Sequence, residues 1–206
     1  MLEPQTDLQK PDTTIKSDIV PVMPIYEQDS CTRAPCFHAD SSVQMGDGTL
    51  KHVKSIRVGD IVATETGTSK VKYVLQTMCD HEMCDIVNFP SGLCITPWHP
   101  IRYENEWVFP STLGPVRYIY CPYVYSFALE SDHTMIVNDT VCVTLGHNMT
   151  NGILNHSYFG TSKVIDDLAT LDGGRGKTIT ISSVYINRDE TGMVCSIQRP
   201  YDFTTP

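Results

Sequence analysis

The sequence predicts an all-β domain of short strands with a small α/β extension at its C-terminal end, and three observations predict it. From Cys36 onward, short runs rich in Val, Ile, Thr and Tyr alternate with turn clusters. Turn signals recur about every 8 to 12 residues, the spacing of all-β domains. Later, a single helical period is followed by one more alternating run.

In chain order, residues 1–35 are polar and punctuated by Pro4, Pro11, Pro21, Pro24 and Pro35, with only Ile19–Val22 hinting at an extended patch. This stretch reads as a flexible leader or linker. Strands are then expected at Ser42–Met45, before the Gly46-Asp47-Gly48 turn, and at Asp60–Thr64, before Thr66-Gly67. Further strands are expected at Val71–Leu75, at Asp85–Phe89 before Pro90-Ser91-Gly92, and at Val141–Thr144. Val164, Ile165, Leu168 and Leu171 share one helix face, and Gly173-Gly174 would end that helix. Lys177 to Val184 alternates like a strand. The expected organisation is a leader over 1–35, a core domain over 36–145 and an extension over 146–206.

Composition narrows the function classes. Hydrophobic residues make up 41% of the 206, enough for a real core, and the formal charge is −9. No Lys/Arg run marks a phosphate-binding surface, so nucleic acid is not an expected partner. The N-terminus lacks the basic and apolar regions of a signal peptide, and no run approaches the roughly 18 apolar residues of a membrane span. A cytoplasmic location is the expectation, although sequons at Asn138, Asn148 and Asn155 leave the compartment open. The eight cysteines are irregularly spaced, which does not suggest a disulfide framework. Cys79 and Cys84 form a C-x4-C pair with no second pair at finger spacing, so no metal or other cofactor is expected.

Three elements carry the chemistry. Cys36-Phe37 leads into a strand, the Gly-Asp-Gly turn and Gly59-Asp60. About sixty residues later, Thr96-Pro97-Trp98-His99 follows the apolar Leu93-Cys94-Ile95. Then come Val124-Tyr125-Ser126-Phe127-Ala128-Leu129 and His133-Thr134-Met135-Ile136-Val137. In that order and spacing they resemble the blocks of Hint (Hedgehog/intein) domains, horseshoe-shaped folds of short strands. Cys142–His147 and His156–Thr161 resemble the Vint variant, found with von Willebrand A domains, so the likeness extends over about 160 residues.

The resemblance implies autoprocessing: Cys36 attacks the carbonyl of Pro35 and moves the acyl group from nitrogen to sulfur, giving a thioester. Water or another nucleophile then releases it, so the substrate is the chain's own N-terminal segment. A von Willebrand A-type domain is a partner implied by the same likeness. A thiol with an ordinary pKa of about 8.5 needs a nearby donor or base. The uphill shift from amide to thioester also needs a proton for the departing nitrogen. An imidazole suits that transfer, and His99 is assigned to it. Thr96 places a hydroxyl beside the same bond, and His133 is assigned to assist the later step. Cys142, between valines, reads as a core residue. His147 and His156 belong to the variant's signature with no role read from the residues alone.

Three departures from the intein pattern bear on the outcome. His147-Asn148 is followed by Met149, which is no nucleophile. Ser126 stands where inteins carry an aspartate that couples the two halves of splicing. Pro35 fixes φ and crowds the carbonyl under attack. The expected activity is therefore self-cleavage at Pro35–Cys36, acting once per molecule, and not splicing. The alternative is a Hint-fold module that has lost processing and serves as a binding or structural domain.

Overall fold

The computed structural model describes residues 34–198. The leader expectation over residues 1–33, including the patch at Ile19–Val22, lies outside the described residues. After Pro35 the chain runs through β1 (Phe37–His38), β2 (Ser42–Gln44), β3 (Leu50–His52), β4 (Ile61–Ala63) and the long β5 (Thr68–Met78). Next come β6 (Met83–Asn88), β7 (Cys94–Ile95), β8 (Ile101–Tyr103), β9 (Glu106–Val108) and β10 (Val116–Tyr120). β11 (Tyr123–Leu129), β12 (Thr134–Val137) and β13 (Thr140–Val143) precede helix α1 (Ser162–Asp172), β14 (Ile179–Ser182), β15 (Ile186–Arg188) and β16 (Val194–Ile197).

The strands make an eight-stranded sheet in the order β10-β6-β7-β1-β11-β5-β14, with β4 also on β5, and a six-stranded sheet, β3-β2-β12-β13-β8-β9. A separate β15–β16 hairpin follows. The all-β expectation holds, with one α-helix among the described residues. α1 buries Val164, Leu168 and Leu171 and stops at Gly173, whose φ of 57° is the left-handed conformation glycine adopts without a Cβ penalty. The alternating run near the C-terminus becomes β14, which pairs in parallel with β5 through Ile179–Leu75 and Ile181–Thr77. The extension therefore completes the main sheet.

Two tight turns set the register of the smaller sheet. Asn138 and Asp139, between β12 and β13, have φ of 46° and 60°, and Glu104 and Asn105, between β8 and β9, have φ of 48° and 66°. Two consecutive left-handed residues match the twist of the flanking strands, and Asn and Asp accept that conformation better than most residues. Asn138 also reaches β2: its Oδ1 accepts from the Ser42 N–H at 2.8 Å.

The described residues form two apolar cores, and β1 lies between them. Side chains alternate across a strand, so Cys36 points into one core, with Val124, Tyr158 and Leu168. Phe37 points into the other, with Val43, Leu93, Phe127 and Met135. Cys36 and Phe37 are 1% and 0% exposed, so the start of β1 is fixed by packing on both faces.

Candidate active site

Sheet register assembles the site. Phe37 pairs with Tyr125 on one side and with Ile95 on the other. One residue back along these antiparallel pairings, Cys36 falls between Ser126 of β11 and Thr96 at the end of β7. Each neighbour takes hold of the peptide that joins Pro35 to Cys36. The Cys36 N–H donates to Thr96 Oγ1 at 2.9 Å. The Thr96 hydroxyl in turn donates to the Ala34 carbonyl at 2.7 Å, and the Thr96 N–H donates to the Cys36 carbonyl at 3.0 Å. From the other side, Ser126 Oγ donates to the Pro35 carbonyl at 2.8 Å and lies 3.2 Å from Cys36 Sγ.

His99 arrives through a tight turn in which its N–H donates to the Thr96 carbonyl at 3.2 Å. The imidazole packs on Phe37 with ring centroids 4.4 Å apart. Its Nε2 is 2.8 Å from the Val143 carbonyl. A carbonyl only accepts, so Nε2 carries the hydrogen and Nδ1 of the neutral ring is a bare lone pair. That Nδ1 is buried with no hydrogen-bond partner among the described residues. Burial pushes the His99 pKa down to about 4, opposed by the Val143 carbonyl and the Cys36 backbone. The Cys36 backbone is thus close enough to favour the charged ring, short of a formed hydrogen bond.

Cys36, Thr96 and His99 are brought together around the Pro35–Cys36 peptide. His133 does not join them: among the described residues no hydrogen bond links it to Cys36, Thr96 or His99. It sits on the turn before β12 with φ of 48°, and its carbonyl accepts from the Thr144 N–H at 2.9 Å. Burial lowers its pKa, against the pull of Asp132. Cys142 is fully buried, and desolvation holds its thiol well above the ordinary range. No group of three or more His, Cys, Asp or Glu side chains among the described residues could hold a metal ion, and no helix there is long and apolar enough to cross a membrane.

The profile of a family described as Vint, a Hint domain, matches residues 35–196. The chain belongs to the Vint family of Hint domains. Its fold is that of an autoprocessing family. Among solved structures, the chain is similar to the gp41-1 intein at 14% identity and TM-score 0.44, covering 54% of this chain and 99% of that one. It is also similar to a DnaB intein from Synechocystis sp. PCC 6803 at 13% identity and TM-score 0.43, with 54% and 99% covered. No curated protein matches.

Within this Vint domain, two histidines without a role in the sequence reading find one as backbone acceptors. His147 Nδ1 accepts from the Met149 N–H at 3.0 Å. His156 Nδ1 accepts from the Tyr158 and Phe159 N–H groups at 3.1 and 3.0 Å. Burial holds both neutral, with pKa values pushed down to about 4. Both line a cavity of about 430 Å³ whose walls also include Pro35, Trp98, Phe109 and Thr144. Residues of the extension thus form one wall of a space that reaches the residue on the acyl side of Cys36.

Ser126 is the site residue that sequence reasoning passed over. Its position was noted for lacking an aspartate. The usable signal was its place in the strand, next to the Tyr125 that pairs with Phe37.

Proposed function

We propose that this Vint domain cleaves its own chain at Pro35–Cys36 by an N-to-S acyl shift, followed by release of the thioester to water or to another nucleophile. The observation that carries the reading is the treatment of that one peptide bond. Its nitrogen is held by Thr96 and its carbonyl oxygen by Ser126, with a cysteine sulfur 3.2 Å from the same serine hydroxyl. Most protein hydrogen bonds join backbone to backbone, whereas this peptide is held by a side chain on each side.

In the shift, Cys36 Sγ forms a bond to the Pro35 carbonyl carbon and the C=O π pair moves onto oxygen. As the adduct collapses, C=O re-forms and the bond to the Cys36 nitrogen breaks. The net movement carries the thiol proton to that nitrogen. His99 suits the last transfer because its bare Nδ1 can take the hydrogen that the adduct gives up as C=O re-forms and pass it to the nitrogen as that becomes an amine. Its low pKa makes the imidazolium a strong acid once formed. Thr96 keeps the nitrogen oriented throughout, and Thr96 and His99 share the turn that fixes their spacing.

The acceptor comes from outside the chain in this reading. Cys142 is buried with its thiol held protonated, and His147-Asn148 leads to Met149. His133 keeps the release-step role that the family resemblance gives it, and its charge lies near enough to bear on His147, which lines the cavity beside Pro35. A von Willebrand A-type domain on the upstream side is the partner the family suggests. The test is to hold the purified full chain with dithiothreitol and weigh the products. Fragments of residues 1–35 and 36–206 are expected, and Thr96→Ala and His99→Ala chains should yield them far more slowly. Equal rates in all three chains would remove Thr96 and His99 from the mechanism.

A further inference from the structure

We infer that Ser126 is a catalytic residue, a neutral proton relay that lets the Cys36 thiol attack without first becoming a thiolate; this rests on the self-cleavage reading. The argument is a count of hydrogens. Ser126 has one hydroxyl hydrogen and two close partners, the Pro35 carbonyl oxygen at 2.8 Å and Cys36 Sγ at 3.2 Å. The carbonyl has no hydrogen to offer, so the serine must donate to it. With its only hydrogen committed there, Ser126 Oγ faces the sulfur as an acceptor, and the thiol is the donor between them.

That orientation fits one direction of proton flow. When Sγ bonds to the Pro35 carbonyl carbon, the C=O electron pair moves to oxygen. That oxygen takes the Ser126 hydrogen, and Ser126 takes the hydrogen of the thiol. The product is a neutral adduct carrying a hydroxyl, with Ser126 regenerated and rotated. No free thiolate or bare oxyanion forms in this attack step, and His99 acts only at the collapse of the adduct. When the adduct collapses, its hydroxyl hydrogen is lost as C=O returns, balancing the one that the Cys36 nitrogen gains.

The surroundings favour such a route. Ser126, Cys36, Thr96 and His99 are 3%, 1%, 0% and 1% exposed, and a thiolate in such a place carries a large desolvation cost. None of the ion pairs among the described residues includes Ser126, Thr96 or His99. A base such as an ionised aspartate is absent from the Ser126 position. The relay replaces the charge separation that such a base would require.

The experiment compares the full chain with Ser126→Ala from pH 6 to 8, following release of residues 1–35 by mass under dithiothreitol. Loss of a positioned proton donor and acceptor is expected to slow cleavage about a hundredfold at pH 7. It should also change the pH dependence. The wild-type rate should not track the thiolate fraction, whereas the variant should gain up to about tenfold per pH unit as the thiol ionises. A merely structural serine would lower the rate with the profile unchanged, which overturns the relay. Cleavage of the variant at the wild-type rate overturns it also, while self-cleavage stands. A wild-type chain that stays intact removes both.

As a second readout, the infrared S–H stretch of Cys36 can be isolated by subtracting the spectrum of a Cys36→Ala chain. The band should move in Ser126→Ala, because the thiol loses its acceptor. An unmoved band contradicts the donor assignment.

Discussion

The His99 ring offers a measurement of the site that needs no turnover. In the unfolded chain its pKa returns to about 6.5, whereas burial pushes it down to about 4 in the fold. The unfolded state therefore binds more protons than the folded one between those values. Stability is full above pH 6.5, declines as pH falls through the window, and levels off below about 4. Linkage gives a loss of about 2 kcal/mol from His99 alone between pH 7 and pH 5. The perturbation is His99→Gln, whose amide can donate toward the Val143 carbonyl as Nε2 does but does not titrate. Both chains carry Cys36→Ala so that cleavage does not intervene. Urea unfolding followed by the fluorescence of Trp98 and Trp107 gives the free energy at each pH. His147 and His156, also held low by burial, lose stability in the same direction in both chains. The difference in pH slope isolates His99, and the Gln chain should lose about 2 kcal/mol less. Equal slopes would show that His99 titrates normally, and the buried, bare Nδ1 would have to be abandoned.

Other outcomes follow from the same geometry. Thr96→Ala removes the acceptor of the Cys36 N–H and the donor to the Ala34 carbonyl, costing about 1–3 kcal/mol for each buried group left unpaired, while Thr96→Ser should keep most of the stability and cleavage. Urea unfolding and fragment mass read the two effects. Native alkylation should label the exposed Cys195 and leave Cys142 unmodified until the chain unfolds, and Cys142→Ala should leave the fragment masses unchanged; a shifted fragment would make Cys142 an acceptor. Gly146 has φ of 71°, and a Cβ there would lie 2.5 Å from Ile165 of α1. Gly146→Ala should therefore cost about 1–3 kcal/mol, read by thermal melting, and an unchanged melt would refute that close packing of the extension.

What was legible in the sequence was what depends on neighbours along the chain. The runs at Val71–Leu75 and Asp85–Phe89 are rich in strand-forming residues because both faces of their strands are covered, with the adjacent pairs Val74-Leu75 and Ile86-Val87 all buried, and they fall on β5 and on β6 with Phe89 just past its end. The helix was equally readable from Val164, Leu168 and Leu171 with a glycine stop. The turns at Glu104-Asn105 and Asn138-Asp139 were harder, since neither contains the glycine that usually marks such a turn. β14 reads as a strand, but its parallel pairing with a strand about a hundred residues earlier has no local trace. Cys36, Thr96 and His99 were legible as a candidate site because their types and order match the blocks of a known family. Ser126 was not, because its chemistry depends on register across β1 and β11. The roles of His147 and His156 come from backbone N–H groups they accept from, which side-chain identity does not encode.

The most direct test of self-cleavage is trapping of the thioester. The full chain is incubated with hydroxylamine at neutral pH beside a Cys36→Ala control, and the released segment is weighed. The account predicts a fragment of residues 1–35 ending in a Pro35 hydroxamate, with none from the control. A wild-type chain that stays intact for days, or a fragment that forms equally without the Cys36 thiol, would contradict it.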